Sequence, residues 1–216
     1  MSDFQSYVRD TNEALGKKLC KTLLGIGYKS AQYAATAEEA AKFASELIED
    51  GASVGIPGTV TVREIGLPEI LEQKGCKLYH HWQPLTPEEK TRVLMDENAA
   101  DWLVTSSNAM TLDGYMVNID GTGNRVAGMA WSPGKLLYIV SLNKVARDTE
   151  AAIARSRDAA TPPNAKRIGI KPPCTTAGHC MNCNSPERVC RVVTIMERVP
   201  LGREAHVILV EENLGY

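Results

Sequence analysis

Four of the chain's six cysteines fall within seventeen residues, Cys174, Cys180, Cys183 and Cys190, in a C-x5-C-x2-C-x6-C run punctuated by proline and glycine. Soft thiolates on such a loop can close round one inorganic centre and select zinc or iron–sulfur. Structural zinc sites usually pair two short knuckles, whereas here only Cys180 and Cys183 are closely spaced and the outer cysteines stand wide. The spacing therefore favours a 4Fe-4S cluster, with zinc as the alternative and plain thiols or disulfides behind both. Four ligands would make an electron carrier; three would leave one iron open as a Lewis acid toward a substrate hydroxyl or carboxylate. The cysteine released would then be an outer one, Cys174 or Cys190. His179 adjoins a ligand and reads as a supporting or solvent-facing side chain.

Two further segments have the residue types of an anion site. In Gly55-Ile56-Pro57-Gly58-Thr59-Val60-Thr61, an apolar strand runs into a glycine–proline turn and then a helix start. Backbone N–H groups and the Thr59 and Thr61 hydroxyls can converge on an anion there, although an ordinary strand-to-helix turn fits as well. The pattern is neither a P-loop nor G-x-G-x-x-G, so no nucleoside triphosphate or dinucleotide is indicated. The second segment, Asn118-Ile119-Asp120-Gly121-Thr122-Gly123-Asn124-Arg125, crowds polar groups around two glycines directly after an apolar strand. Arg125 offers a planar fork for a carboxylate or phosphate, with Asn124 and Asp120 placed to orient it. Lys144 follows another strand and could reach a ligand phosphate or stay solvated. His80 and His81 are neighbours on a strand and point to opposite faces, so a shared ion is not expected. Cys20 and Cys76 read as small buried hydrophobes, and Trp82, Trp102 and Trp131 as core or rim packing.

The elements that must position these residues alternate. Apolar residues between Phe4 and Leu24 recur at helical spacing and stop at Gly25 and Gly27. Thr36-Ala37-Glu38-Glu39 forms a capping box for a helix reaching toward Gly51. The strand Ala52–Ile56, a helix with Pro68 in its first turn, and the strand Cys76–His81 follow. A second capping box at Thr86-Pro87-Glu88-Glu89 opens a helix to about Ala100, ahead of the strand Trp102–Ser106. Asp113-Gly114 marks a hairpin turn. Lys135–Leu142 is a strand and Asp148–Arg157 a helix with an acidic start and a basic end. This rhythm predicts an α/β fold, a mainly parallel sheet with helices on both faces, binding ligands beyond the carboxyl ends of its strands. After Thr161-Pro162-Pro163 the texture predicts a strand Lys166–Ile170, the cysteine loop 173–190, and a terminal hairpin of Val192–Glu197 and Ala205–Glu211.

Composition narrows the partners. A chain of 216 residues, 44% hydrophobic and 23% charged, fits one compact domain, 1–216. Twenty-four basic against 26 acidic residues leave a net charge of −2, which gives no drive toward nucleic acid or anionic lipid. No apolar run approaches the roughly 18–20 residues of a bilayer span, and the start lacks the order of a signal peptide. A cytoplasmic protein is expected.

From Thr105 through "TSSNAMTLDGYMVNIDGTGNRVAG" to Ser141-Leu142-Asn143-Lys144, the chain resembles the lactate-utilisation (LUD-domain) family, over about residues 10–212. The resemblance implies the ribose-5-phosphate isomerase and CoA-transferase-like fold, and makes Gly55, Gly58, Thr59 and Thr61 an anion loop of that type. Asn118, Gly121, Gly123 and Lys144 would complete the substrate site around Asp120, Asn124 and Arg125. Glu64 invites comparison with the nucleophilic glutamate of CoA-transferases, but no transferase motif surrounds it. The family implies oxidoreduction of lactate or a related 2-hydroxy or 2-oxo acid, with a redox partner protein completing the circuit because no flavin or nicotinamide motif is visible. A lyase or hydrolase using an open iron, and a zinc-stapled ligand-binding or assembly protein, are the rival readings. Nothing in the sequence opposes an oligomer.

Overall fold

The computed structural model describes residues 4–216. Met1–Asp3, within the expected domain and its opening segment, lie outside the described residues. The chain runs α1 (Phe4–Gly25), β1 (Ser30–Ala34), α2 (Ala37–Leu47), β2 (Ser53–Gly55), α3 (Val60–Glu64), α4 (Leu67–Gln73), β3 (Lys77–Tyr79), α5 (Pro87–Ala99), β4 (Trp102–Thr105), β5 (Ala109–Thr111) and β6 (Met116–Asp120). It continues with α6 (Asn124–Ala130), β7 (Lys135–Ser141), β8 (Val145–Ala146), α7 (Thr149–Arg155), α8 (Thr161–Arg167), α9 (Cys174–Ala177), β9 (Val192–Met196) and β10 (Ala205–Val210).

Six strands form one parallel sheet in the order β1-β10-β7-β4-β2-β3. Its central strands are apolar without alternation because both faces are covered. Leu137 and Ile139 of β7 face one core with α2 and α4, while Leu136, Tyr138 and Val140 face a second core with Leu19 and Leu23 of α1. β10 divides the same way, Ile208 and Val210 against Val207 and Leu209. Thr86 with Glu89 completes a reciprocal box; at Thr36 only half of the expected box forms, Glu39 N donating to Thr36 Oγ1 at 3.2 Å while the Glu39 carboxylate accepts from Ala35 N at 2.8 Å. A second, mixed sheet, β8-β5-β6-β9, stands beside the first, its β5–β6 pair joined through the Asp113-Gly114 turn. No helix among the described residues is long and apolar enough to cross a membrane.

Two expectations are corrected. Lys166–Ile170 is not a strand: the helical run from α7 passes through a π-turn at Ser156–Ala160 into α8, with Pro162 and Pro163 in its first turn, and Gly169 closes it with φ +75°. The terminal hairpin does not form either, because β9 joins β6 in the small sheet and β10 lies between β1 and β7 in the large one. The reason is burial: β10 is buried at every residue and needs cover on both faces, whereas β9 is partly exposed along its length.

Candidate functional site

The loops beyond the carboxyl ends of four parallel strands converge on one cavity of about 650 Å³. β2 leads to Pro57–Thr61, β3 to His81 and Trp82, β4 to Ser106–Asn108, and β7 to Lys144. Asp120, Gly121, Asn124 and Arg125 close one side from β6 and α6, Thr161, Asn164 and Arg167 another from α8, and Val189 brings the cysteine loop to the rim. Of the substrate-site residues expected from sequence, Gly58, Thr59, Thr61, Asp120, Gly121, Asn124, Arg125 and Lys144 thus share one wall system. Gly55, Asn118 and Gly123 lie behind it. Gly55 is a point of close approach, since a Cβ there would sit 1.9 Å from the Glu97 carbonyl oxygen. Gly123 is the left-handed residue that starts α6.

Lys144 is buried, 3% exposed, in a 3₁₀ turn that ends β7. Its Nζ donates to Thr61 Oγ1 at 2.6 Å and to Ser106 Oγ at 3.0 Å. Among the described residues no carboxylate lies within ion-pair distance of it. Burial, with the positive charges of Arg155 and Arg125 behind it, pulls the amine down to about 7 against the opposing charge of Glu64. Nearby Thr59 is also buried, and its hydroxyl has no hydrogen-bond partner among the described residues. A buried hydroxyl without a partner costs stability unless a ligand supplies one.

Arg125 serves mainly as a strut. Its Nε and Nη2 donate to Asp120 Oδ1 at 3.0 and 2.8 Å, Nη2 also to Asn108 Oδ1 at 2.8 Å, and Nη1 to Asn118 Oδ1 at 3.3 Å. The second oxygen of Asp120 accepts from Val126 N at 3.0 Å, so β6, α6 and the loop after β4 are tied together. With its donors engaged inside the protein, Arg125 holds the wall against which a ligand would rest. Asn124 Oδ1 accepts from Thr122 Oγ1 at 2.7 Å, fixing the turn beside it.

A dyad that the sequence reading did not pair stands across the cavity. His81 Nδ1 lies 2.6 Å from Glu97 Oε1, which also accepts from the His81 backbone N–H at 2.9 Å. Glu97 is fully buried, and its Oε2 is without a partner. An ionised Glu97 only accepts, so Nδ1 is the donor of this pair and Nε2 is the ring nitrogen left toward the cavity. Nε2 faces the anion loop, 3.3 Å from where a Cβ on Gly58 would be. Beside it Trp82 is stacked by two guanidiniums, Arg63 at 4.1 Å and Arg167 at 4.4 Å from the ring centre. The sequence carried no signal for the pair, because Glu97 is one of several acidic residues on α5 and only the fold makes it the buried one.

The cysteine loop is a built structure. Cys174 is buried at the start of α9, and Cys180, Cys183 and Cys190 are partly exposed. Asp158 accepts from the Cys180 N–H at 2.7 Å, Asn182 N–H donates to Cys180 Sγ at 3.4 Å from a left-handed φ of 42°, and Arg188 donates to the Cys183 and Cys190 carbonyls at 2.7 and 2.9 Å. The loop docks on β6, where Arg191 N donates to Asp120 O at 2.9 Å and the absent side chain of Gly121 admits the Val189 carbonyl. Burial first, and then the neighbouring Cys183, Cys190 and Cys180, raise the Cys174 thiol. All six cysteines are free thiols, and among the described residues no three His, Cys, Asp or Glu side chains are gathered at metal-ligand geometry. Four soft donors on one loop, with an N–H aimed at one sulfur, suit an iron–sulfur cluster or zinc in chemistry and count, though in this structure the four sulfurs are not drawn together as a ligand set. His179 is exposed, its Nδ1 3.1 Å from the Ala177 carbonyl oxygen.

These features define an α/β protein with a polar cavity at the carboxyl edge of a parallel sheet, a buried lysine in its floor and a four-thiol loop at its rim. The chain belongs to the LUD domain family, whose match covers residues 28–210. It shares its fold with a DUF162 family protein from Deinococcus radiodurans, with a TM-score of 0.52 and 14% identity over 92% of this chain and 98% of that one. A translation initiation factor eIF-2B from Pyrococcus horikoshii OT3 matches 53% of this chain and 49% of its own, at a TM-score of 0.38 and 14% identity. No curated protein matches the chain.

Proposed function

We propose that this LUD-domain protein acts in the oxidoreduction of lactate or a related 2-hydroxy or 2-oxo acid, with its cysteine loop holding a 4Fe-4S cluster. The observation that carries the reading is the joint one: a cavity with an uncompensated buried amine, Lys144, and an unpartnered hydroxyl, Thr59, bordered by Val189 of the thiol loop. The substrate carboxylate would take the free Thr59 hydroxyl and the positive field of the Lys144 wall. His81, its Nδ1–H anchored on Glu97, would accept the hydroxyl proton on Nε2. Oxidation of a 2-hydroxy acid releases two electrons and two protons, so the proton needs a base whatever carries the electrons. Cys174, Cys180, Cys183 and Cys190 would hold the cluster, which when bound supplies one-electron transfer to a partner protein. Lewis-acid chemistry at an open iron, or a zinc staple, would use the same thiols.

Anaerobic purification with iron and sulfide counts, and a visible absorbance bleached by dithionite, tests the cofactor. Lactate and pyruvate should raise the melting temperature of the wild type and not of Lys144→Ala. A colourless protein carrying stoichiometric zinc, together with no response to either acid, would defeat the proposal.

A further inference from the structure

We infer that Lys144 forms a covalent imine with the carbonyl carbon of a 2-oxo acid bound in the cavity, an activity distinct from electron transfer. The inference rests on the reading that such an acid occupies this site.

The geometry around the amine is that of a nucleophile held ready. A neutral amine has two N–H donors and one lone pair. Thr61 Oγ1 at 2.6 Å and Ser106 Oγ at 3.0 Å take the two donors, which leaves the lone pair free. No carboxylate within ion-pair distance holds the amine in its charged form, among the described residues. The Gly215 backbone packs against the amine on one side, where a Cβ would be 2.8 Å from Nζ and only glycine leaves the amine its place. Lys144 belongs to the lining of a cavity of about 650 Å³, which has room for a small acid and the water it releases. The depressed proton affinity of the buried amine agrees with this, since about half of it is unprotonated near neutrality. The unpartnered Thr59 hydroxyl, in the same loop as Thr61, is available for the carboxylate.

The step balances without an oxidant or reductant. The Nζ lone pair adds to the C2 carbonyl carbon, both amine protons pass to the carbonyl oxygen through the neighbouring hydroxyls, and the oxygen leaves as water. One C=O bond is lost and one C=N bond is formed.

The test incubates the full chain with pyruvate and borohydride, maps the product by peptide mass spectrometry, and measures pyruvate binding separately by calorimetry. The expected result is one adduct on Lys144, heavier by one pyruvic acid less one oxygen atom, formed at least about ten-fold faster than on any other lysine. Lys144→Arg should abolish it at that position. Ser106→Ala, which keeps the lysine, should slow it roughly ten-fold or more if the hydroxyl relays the proton. Binding of pyruvate with no adduct, or with adducts spread equally over surface lysines, would overturn the inference and leave the binding site standing. Absence of both binding and adduct would remove the site reading and the inference together.

Discussion

Replacing Lys144 by methionine should make the protein more stable at neutral and acidic pH, an unusual direction for a buried residue. The ordinary lysine value is 10.5, and burial with Arg155 and Arg125 nearby lowers it to about 7. That gap corresponds to about 5 kcal/mol of penalty on the charged form. Below about pH 7 the amine is charged in both the folded and unfolded chain, and the whole penalty is present. Between about 7 and 10.5 the unfolded chain binds a proton that the folded one does not, so stability climbs with pH. Above 10.5 the amine is neutral in both, and the penalty is gone. Methionine removes the charge but strands the Thr61 and Ser106 hydroxyls, which now accept at 2.6 and 3.0 Å, and that loss offsets roughly 1–3 kcal/mol. The net gain at pH 6 is about 2–4 kcal/mol, a rise in Tm of roughly 5–15 °C for a chain of this size. At pH 10 the gain should be absent or reversed. Thermal unfolding of both proteins from pH 6 to 10 measures this, and a Lys144→Met protein that is less stable by the same amount at every pH would refute the reasoning.

Other positions give sharper local tests. Gly55→Ala places a Cβ 1.9 Å from the Glu97 carbonyl, so α5 must move; a loss of about 3 kcal/mol is expected by denaturant unfolding, with altered His81 ring resonances in NMR. Asp120→Asn breaks the largely buried pair with Arg125, and about 3 kcal/mol should be lost because the guanidinium keeps its other partners but not its counter-charge. Glu97→Gln should leave the fold within about 2 kcal/mol, since a carbonyl oxygen can still accept from His81 Nδ1, and an unchanged His81 Nδ1–H resonance by NMR would count against the dyad.

Much of the scaffold was legible because its signals are local. Thr36 and Thr86 announce their helices through residues three positions away, and the uninterrupted apolar run Leu136–Val140 fits a strand covered on both faces. The errors fell where a segment's fate depends on distant partners. Ala205–Val210 reads equally well as half of a hairpin, and its place between β1 and β7 depends on which strands need a neighbour. The wall formed by Gly58–Thr61 and Asp120–Arg125 was readable from composition, small polar residues crowding after apolar strand ends. The role of Lys144 was not, because it is buried by residues 83 and 38 positions away. His81 and Glu97 belong to different elements that meet only because Gly55 lets α5 rest on β2.

The distribution of unsatisfied groups argues that this region is selected for something other than stability. The orphaned side-chain atoms include Thr59 Oγ1, Asn118 Nδ2 and Glu97 Oε2, all within or directly behind the cavity wall, and two donors of Arg63, which stacks on Trp82 of that wall. The amine of Lys144 adds a buried ionisable group with no carboxylate within ion-pair distance among the described residues. A core optimised for stability would fill these positions with apolar residues, as both faces of β7 and β10 do. Their concentration at the carboxyl edge of one sheet, and the docking of the thiol loop on the same β6 strand that carries Asp120, tie the loop to the cavity mechanically as well as spatially. Shortening or reorienting the loop should therefore disturb the Asp120–Arg125 wall, and a ligand in the cavity should protect the backbone around Val189 and Arg191 from hydrogen exchange.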